Sequence, residues 1–283
     1  MLREMLLEKM GLNLERALEK SVQKLPVIWI SALECTGCKE ALIRTEYPSP
    51  SSTLMDFFSF EYSELLSAAS GQQIENHKKS IMKAFAGEYI LIVEGSVPLN
   101  SEYLLVAGKS VREELRYAAF HAKAVLAVGS CSSWGGLPQA SPNPTGSEDI
   151  SALVPDHTPL ALIPGCPPIP EVITGTLLYL YLHGQLPELD KKQRPKMFYQ
   201  TTVHMTCHRK HYFDKKLFAE SFEDEGAKKD YCLLKLGCKG PSAFNACESL
   251  GIDRCIKAGI PCMACSEKGF WDKGGFLPRK KKG

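Results

Sequence analysis

The sequence predicts an α/β fold: a doubly wound parallel sheet, then a smaller C-terminal domain low in regular secondary structure and held together by metal. Three observations predict it. Short runs rich in Val, Ile and Leu alternate with longer helix-like stretches, the pattern of strands buried on both faces and joined by crossover helices. Each run ends in a loop containing Gly, Cys or Pro, at the edge where a parallel sheet presents its ligands. Finally, seven of the eleven cysteines fall in the 62 residues from His204 to Cys265, where the regular periodicity fades.

The opening MLREMLLEKMGLNLERALEK interrupts its apolar residues with charge every two or three positions, which predicts an amphipathic helix and not a secretory signal. PVIWISALECTGC, from Pro26, gives the first strand and ends on Cys35 and Cys38. TLMDFFSFEY reads as a more peripheral strand, and GQQIENHKKSIMKAFAG after it as a helix. YILIVEGSVP gives a strand ending at Glu94, and SVREELRYAAFHA a second helix. AVLAVGSCSSWGG and PLALIPGCPPIP give strands that end just before Cys131 and Cys166. The loops of Cys35 with Cys38, Glu94, Cys131 and Cys166 therefore converge on one crevice outside the carboxyl ends of the strands. VITGTLLYLYLHG, Val172 to Gly184, is too short to span a bilayer and reads as a buried helix. QLPELDKKQRP is a polar linker, and PKMFYQTTV after it is available as one last strand. The expected division is therefore a sheet domain over residues 1–186 and a metal-organised domain over 187–283. The tail PRKKKG reads as a solvated basic end.

Hydrophobic residues make up 44% of the 283 and charged residues 23%, which excludes intrinsic disorder. A net charge of +2 gives no bulk attraction to nucleic acid or anionic lipid, and no aromatic-basic stripe of the RNA-binding kind is present. Eleven cysteines cannot all pair within one chain. With no twin-arginine pair and no run of about 18 apolar residues, the expected location is the cytoplasm, with no transmembrane anchor in the chain. There, thiols serve metals or catalysis more often than disulfides. If a leader has been removed, membrane association or export is the alternative.

The cysteines form three groups. Cys35-x2-Cys38 is joined through the sheet by Cys131 and Cys166. The x2 spacing lets two thiolates of one turn grip one centre, and the proline after Cys166 suits an iron-sulfur ligand. Spacing alone leaves a zinc knot, a reactive dithiol or buried structural cysteines open for this group. The second group is His204-x2-Cys207 with Cys232-x5-Cys238; His208 and His211 lie nearby, so spacing does not force the choice of His204. The third, Cys247, Cys255, Cys262 and Cys265, places four cysteines within 19 residues, a strong metal signal shared by zinc ribbons and cubane clusters. Eleven thiols and one histidine divide into three sets of four with none left over. Several cysteine-held centres in one small protein make better sense as an electron relay than as three structural zinc ions, because each can be poised by burial, charge and hydrogen bonds to sulfur. A neutral imidazole in place of one thiolate lowers the negative charge around its centre and shifts its potential upward.

The stretches ECTGCKEALIRTEYP, LIVEGSVP, VGSCSSWGG, PGCPPIP, VHMTCHRKHYFD, DEGAKKDYCLLKLGCKGP, FNACES and PCMACSEKGFWD together resemble the small subunit of nickel-iron hydrogenases, in the family's order and over nearly the whole chain. The resemblance implies a flavodoxin-like N-terminal domain with a proximal 4Fe-4S cluster on Cys35, Cys38, Cys131 and Cys166. It implies a distal 4Fe-4S cluster on His204, Cys207, Cys232 and Cys238, and a medial cluster on Cys247, Cys262 and Cys265. Many members carry a proline where this chain has Cys255 and hold a 3Fe-4S cluster there. With Cys255 the resemblance implies a third 4Fe-4S cluster, 3Fe-4S absent, and a flatter relay of lower potential. The alternative for Cys255 is a small buried residue. Oxygen-tolerant relatives place extra cysteines at the positions of Gly37 and Gly136, so an ordinary proximal cubane is implied here.

The implied activity is that of a hydrogenase, converting H2 to and from two protons and two electrons. Its nickel-iron site lies in a separate large subunit, since no C-x2-C pair is left over in this chain to build one. The chain is then the non-catalytic, electron-relay subunit of a heterodimer, with a redox partner near the distal cluster and no nucleic acid. Glu40 and Glu94 adjoin the proximal group and read as helping to place the cluster or as facing the partner, with a solvent-facing or capping role as the alternative. Trp134, Phe244 and Trp271 read as packing that keeps water off the sulfurs. Arg209, Lys210 and Lys239 read as a solvated face, with docking of an acidic redox partner as the alternative. The rivals are the related respiratory complex I subunit or a one-cluster hydrogenase subunit, which keep only the proximal type of site, and a zinc-stapled interaction or nucleic-acid module, which predicts a colourless protein.

Overall fold

The computed structural model describes residues 24–46, 49–52, 56–250 and 255–272. The expected N-terminal amphipathic helix, the PRKKKG tail and the first three residues of TLMDFFSFEY lie outside them. Five strands form one sheet: β1 (Leu25–Ser31), β2 (Phe58–Tyr62), β3 (Ile90–Glu94), β6 (Ala124–Val128) and β7 (Leu160–Ile163). A hairpin of two-residue strands, β4 (Leu105–Val106) and β5 (Lys109–Ser110), stands apart. The sheet is parallel throughout, in the order β2-β1-β3-β6-β7. Counted among sheet strands alone this is the flavodoxin-like order 2-1-3-4-5, whose direction reverses between β1 and β3. Every residue of β3, β6 and β7 is buried, whereas β2 at the edge buries only Phe58 and Tyr62, as two-face coverage requires.

Alternate residues serve opposite faces. Val27, Trp29, Ile90, Ile92, Leu126 and Ile163 pack on one side with α1 (Gly37–Ile43) and α5 (Pro170–His183). On the other side, Ile28, Ile30, Leu91, Val93, Val125 and Leu162 pack with α2 (Gly71–Ala84) and α3 (Val111–His121). The start of α3 is written as Ser-x-x-Glu, and the Ser110 hydroxyl accepts from the Glu113 amide at 3.4 Å, half of a capping box. The α5 segment is the buried helix that its apolar sequence predicts, begun by Pro170 and stopped by Gly184 at φ 73. No helix among the described residues is long and apolar enough to cross a membrane.

After β7 no further strand forms among the described residues. The strand expected in PKMFYQTTV is instead a helical turn, Lys196–Tyr199, begun at Pro195. Its neighbours Phe198 and Tyr199 both point inward, which a strand forbids, and the Tyr199 hydroxyl anchors on the Pro164 carbonyl at 2.8 Å. The outer edge of β7 is met by loop backbone, the Leu162 amide donating to the Gln193 carbonyl. The rest is short helical pieces and turns around a small cluster of Val203, Ala219, Leu233, Leu236, Ala243, Ile256 and Ala264, with Cys207, Cys238 and Cys262 packed against it.

Leu126→Ala, at a fully buried position in the centre of the sheet, is expected to cost about 2–5 kcal/mol. Leu137→Ala, at a side chain 57% exposed, is expected to stay within about 0.5 kcal/mol. Denaturant unfolding of the two variants checks the contrast.

Candidate metal centres

β1 ends at Ser31, paired in register with Glu94 at the end of β3. Just beyond, the chain exchanges two hydrogen bonds between Leu33 and Ser96 and turns at Thr36, in the left-handed region at φ 69, into α1. The Glu94 carboxylate, 1% exposed, fixes this turn. One oxygen accepts from the Cys38 amide at 2.9 Å, and the other accepts from Trp29 Nε1 at 3.2 Å and lies 3.5 Å from Lys39 Nζ. Lys39, itself 3% exposed, also reaches Glu34 at 3.5 Å. Burial, then the Glu94 charge, raises the Glu34 carboxyl above its ordinary value. Of the two glutamates marked in the sequence, Glu94 is thus a buried positioning group, while Glu40 is solvent-facing and paired with Arg44 at 2.8 Å.

Cys131 enters from the β6 loop at the start of α4 (Ser130–Trp134), and Cys166 from the β7 loop. Two glycines let the thiols approach. Gly129 adopts φ 92, and a Cβ there would lie 2.5 Å from Cys38 Sγ. At Gly136, φ 53, a Cβ would lie 2.7 Å from Cys131 Sγ. Burial, then Glu94, pushes the Cys38 thiol well up, with Cys131 and Cys35 contributing from within electrostatic reach. The Cys166 loop closes on the same place, since Pro167 Cβ lies 3.8 Å from a Cβ built on Gly37. Cys166 itself is exposed and lines the neighbouring cleft.

That cleft, of about 590 Å3, is lined by Cys166 together with all four of Cys247, Cys255, Cys262 and Cys265. A much smaller cavity is lined by His204, Cys207, Cys232 and Cys238, with Gly240 and Ile256. The histidine that spacing leaves open is thereby distinguished: His204 shares a cavity with three thiols, its ring edge-on to Phe213 at 4.6 Å. His208 lies against Glu248 at 2.9 Å, and His211 against the His208 carbonyl at 3.0 Å. One atom each of Cys207, His208 and Glu248 also lie within 4.8 Å of one another, a smaller ligand set that shares Cys207.

The groups are tied to one another. Ser130, beside Cys131, donates to the Cys265 carbonyl, and Trp134 Nε1 donates to the Ser266 carbonyl at 3.1 Å. On the other side the Lys239 amide, beside Cys238, donates to the Cys262 carbonyl at 2.7 Å. Ser130 and Lys39 carry no motif that marks them in the sequence. Only their places beside cysteines do. Trp134 is buried as packing, as expected. Phe244 lies under the Arg194 guanidinium and Trp271 against Phe270. Arg209 departs from the solvated reading: it is 3% exposed and bonds Asp230 at 2.8 Å and the Tyr231 carbonyl at 3.0 Å. Lys210 keeps to that reading, 41% exposed and paired with Asp214.

All eleven cysteines are thiols and none is in a disulfide. The second and third groups line space bounded by soft sulfur donors, a donor set that fits iron-sulfur centres or zinc. Burial pushes Cys207 up to about 11 and Cys262 up to about 12. Both are therefore protonated at neutral pH when no cation is bound, and loading must release their protons, so it strengthens as pH rises.

Residues 35–180 match the family model described as NADH ubiquinone oxidoreductase, 20 Kd subunit, and residues 199–277 match the model of the C-terminal part of the NiFe/NiFeSe hydrogenase small subunit. The chain is 46% identical over 260 residues to the uptake hydrogenase small subunit of Azotobacter vinelandii, spanning 90% of this chain and 72% of that one. It is 43% identical to the uptake hydrogenase small subunit of Cupriavidus necator over the same shares. Among solved structures, the H2-activated [NiFeSe]-hydrogenase of Dm. baculatum superposes with a TM-score of 0.83 at 32% identity, over 91% of this chain and 99% of that one. The recombinant [NiFeSe] hydrogenase of Desulfovibrio vulgaris Hildenborough gives 0.83 at 29%, over 90% and 98%.

Gly129→Ala should drive Cys38 out of its place, since both the left-handed backbone and the 2.5 Å approach oppose a methyl group. Metal analysis of the purified variant is expected to show less bound metal than the parent protein, lost from the group of Cys38.

Proposed function

The chain belongs to the small-subunit family of nickel-iron hydrogenases, and from that premise we propose that it carries electrons between the nickel-iron site of a partner large subunit and an external redox partner, through three 4Fe-4S clusters. As a component of a hydrogenase it is part of an oxidoreductase. The observation that carries the relay reading is the order of the thiol groups. Cys166 of the first group borders the cleft of the third, and Cys262 of the third is within electrostatic reach of Cys238 of the second. The third group is therefore the middle one, and the sequence of centres would run from Cys35, Cys38, Cys131 and Cys166 through Cys247, Cys255, Cys262 and Cys265 to His204, Cys207, Cys232 and Cys238.

When bound, such clusters supply one-electron carriers whose potentials follow net charge, hydrogen bonding to sulfur and solvent exposure. The protein's own part is to bind, to space and to keep dry. Glu94 holds the Cys38 amide, Ser130 and Lys239 hold the middle loops against their neighbours, and Val203, Ile256 and Ala264 supply apolar walls. Cys255 lines the middle cleft with the other three thiols, which supports a fourth ligand there, a cubane in place of a three-iron centre, and a relay of even, low potential. Glycine at 37 and 136 supports an ordinary proximal cubane. A division of the chain near residue 187 accords with the end of regular strands at Ile163 and the small third cluster. The cytoplasm is the location we propose, since a reducing compartment suits eleven cysteines held as thiols; cell fractionation tests it.

Anaerobically isolated protein is expected to be brown, with about twelve irons per chain and nickel only when the large subunit accompanies it. Zinc in the place of iron, or a single cubane, overturns the relay. Cys255→Pro is expected to convert the middle centre to three irons and raise its potential. Electron paramagnetic resonance of the oxidised variant should show a new three-iron signal, and its absence with the cluster intact removes Cys255 from the ligand set.

A further inference from the structure

Arg194 is almost completely buried, its side chain 4% exposed, at the end of the linker and far in sequence from every cysteine of the middle group. All three of its nitrogens are engaged. Nε and Nη2 bond Asp190 at 2.9 and 2.8 Å, and Nη1 bonds Glu267 Oε1 at 2.9 Å. The same Glu267 oxygen accepts from the Phe244 amide at 2.9 Å, and Lys192 closes the set on the other Glu267 oxygen at 2.8 Å. The guanidinium lies over two rings, Tyr199 at 5.3 Å and Phe244 at 5.6 Å. Each contact leads to the middle group: Glu267 is two residues from Cys265, Phe244 three from Cys247, and buried Tyr199 is within electrostatic reach of Arg194, Cys247, Cys265 and Glu267 together.

We propose that Arg194 is a positioning residue for the middle centre that sets its reduction potential, its buried positive charge favouring the reduced form. This rests on the relay reading above. Adding one electron makes a cluster one unit more negative, so a fixed cation in a poorly solvated setting stabilises the reduced state and a fixed anion destabilises it. Arg194 and Lys192 balance Asp190 and Glu267 to zero. Without Arg194 the set carries one net negative charge, on a residue two positions from Cys265; without the Glu267 carboxylate it carries one net positive. A structural peg has no sign, whereas this arrangement has one. Arginine suits the task because its fork serves both carboxylates at once while its flat face stacks on the rings.

The test uses the assembled hydrogenase, isolated anaerobically, with Arg194→Met, Arg194→Lys and Glu267→Gln, each titrated by potential and followed by electron paramagnetic resonance. Iron per chain is measured alongside. Arg194→Met is expected to lower the midpoint of the middle centre, Glu267→Gln to raise it, and Arg194→Lys to keep it near the parent value, while the other two centres shift less. An unchanged midpoint in Arg194→Met, or shifts of the same sign in Arg194→Met and Glu267→Gln, with iron content intact, overturns the role and leaves the relay standing. Should Arg194→Met not assemble, Glu267→Gln decides: a raised midpoint supports the role, and an unchanged or lowered one overturns it. A parent protein with no centre on the middle cysteines overturns the relay and this role together.

Discussion

The carboxylate of Glu94 is the constraint on which the first site depends. It lies at the end of the central strand, paired in register with Ser31, on the same face as Trp29 and α1. A shift of the β1–β3 pairing by one residue would turn it to the opposite face, away from the Cys38 amide and the Trp29 indole. The parallel register and the geometry of the Cys35–Cys38 turn are therefore one constraint. Lys39 completes it. A buried carboxylate beside thiols would oppose their ionisation, and the neighbouring ammonium, 3.5 Å from both Glu94 and Glu34, offsets charge that burial leaves unsolvated.

The C-terminal third solves a different problem. Its apolar cluster is small, and three of the cysteines pack against it, so sulfur is part of its core before any metal arrives. The thiols that burial raises are neutral and can be buried without mutual repulsion. Once metal replaces their protons, each centre also becomes a cross-link between loops that regular structure does not join. That explains how a stretch with only short helical pieces and no described strand holds a defined shape.

The sheet was legible because burial on both faces leaves strands as continuous apolar runs, as in Ile90–Val93 and Ala124–Val128. The same alternation of runs and helices places the four loops at one edge. PKMFYQTTV misled because aromatic and β-branched residues favour a strand, while Tyr199 reaches back to Pro164 and Phe198 fills the core beside it. The histidine was legible only through resemblance, since His204, His208 and His211 are chemically alike and only the fold places one of them among three thiols. Charge was the least legible. Arg209 and Lys39 look like ordinary surface residues in the sequence, and their burial depends on partners 21 and 55 residues away, Asp230 and Glu94.

The three thiol groups are spaced by contacts that local sequence does not encode. The middle loop is joined to the first group through Ser130 and Trp134, and to the last through the Lys239 amide, each meeting a main-chain carbonyl. Electron tunnelling falls steeply with distance, whereas a potential responds to charge over a longer range. A relay built this way would separate the two properties: the links to main-chain carbonyls would hold the loops that carry the centres, and the buried charge of Arg194 would act on potential, as we propose.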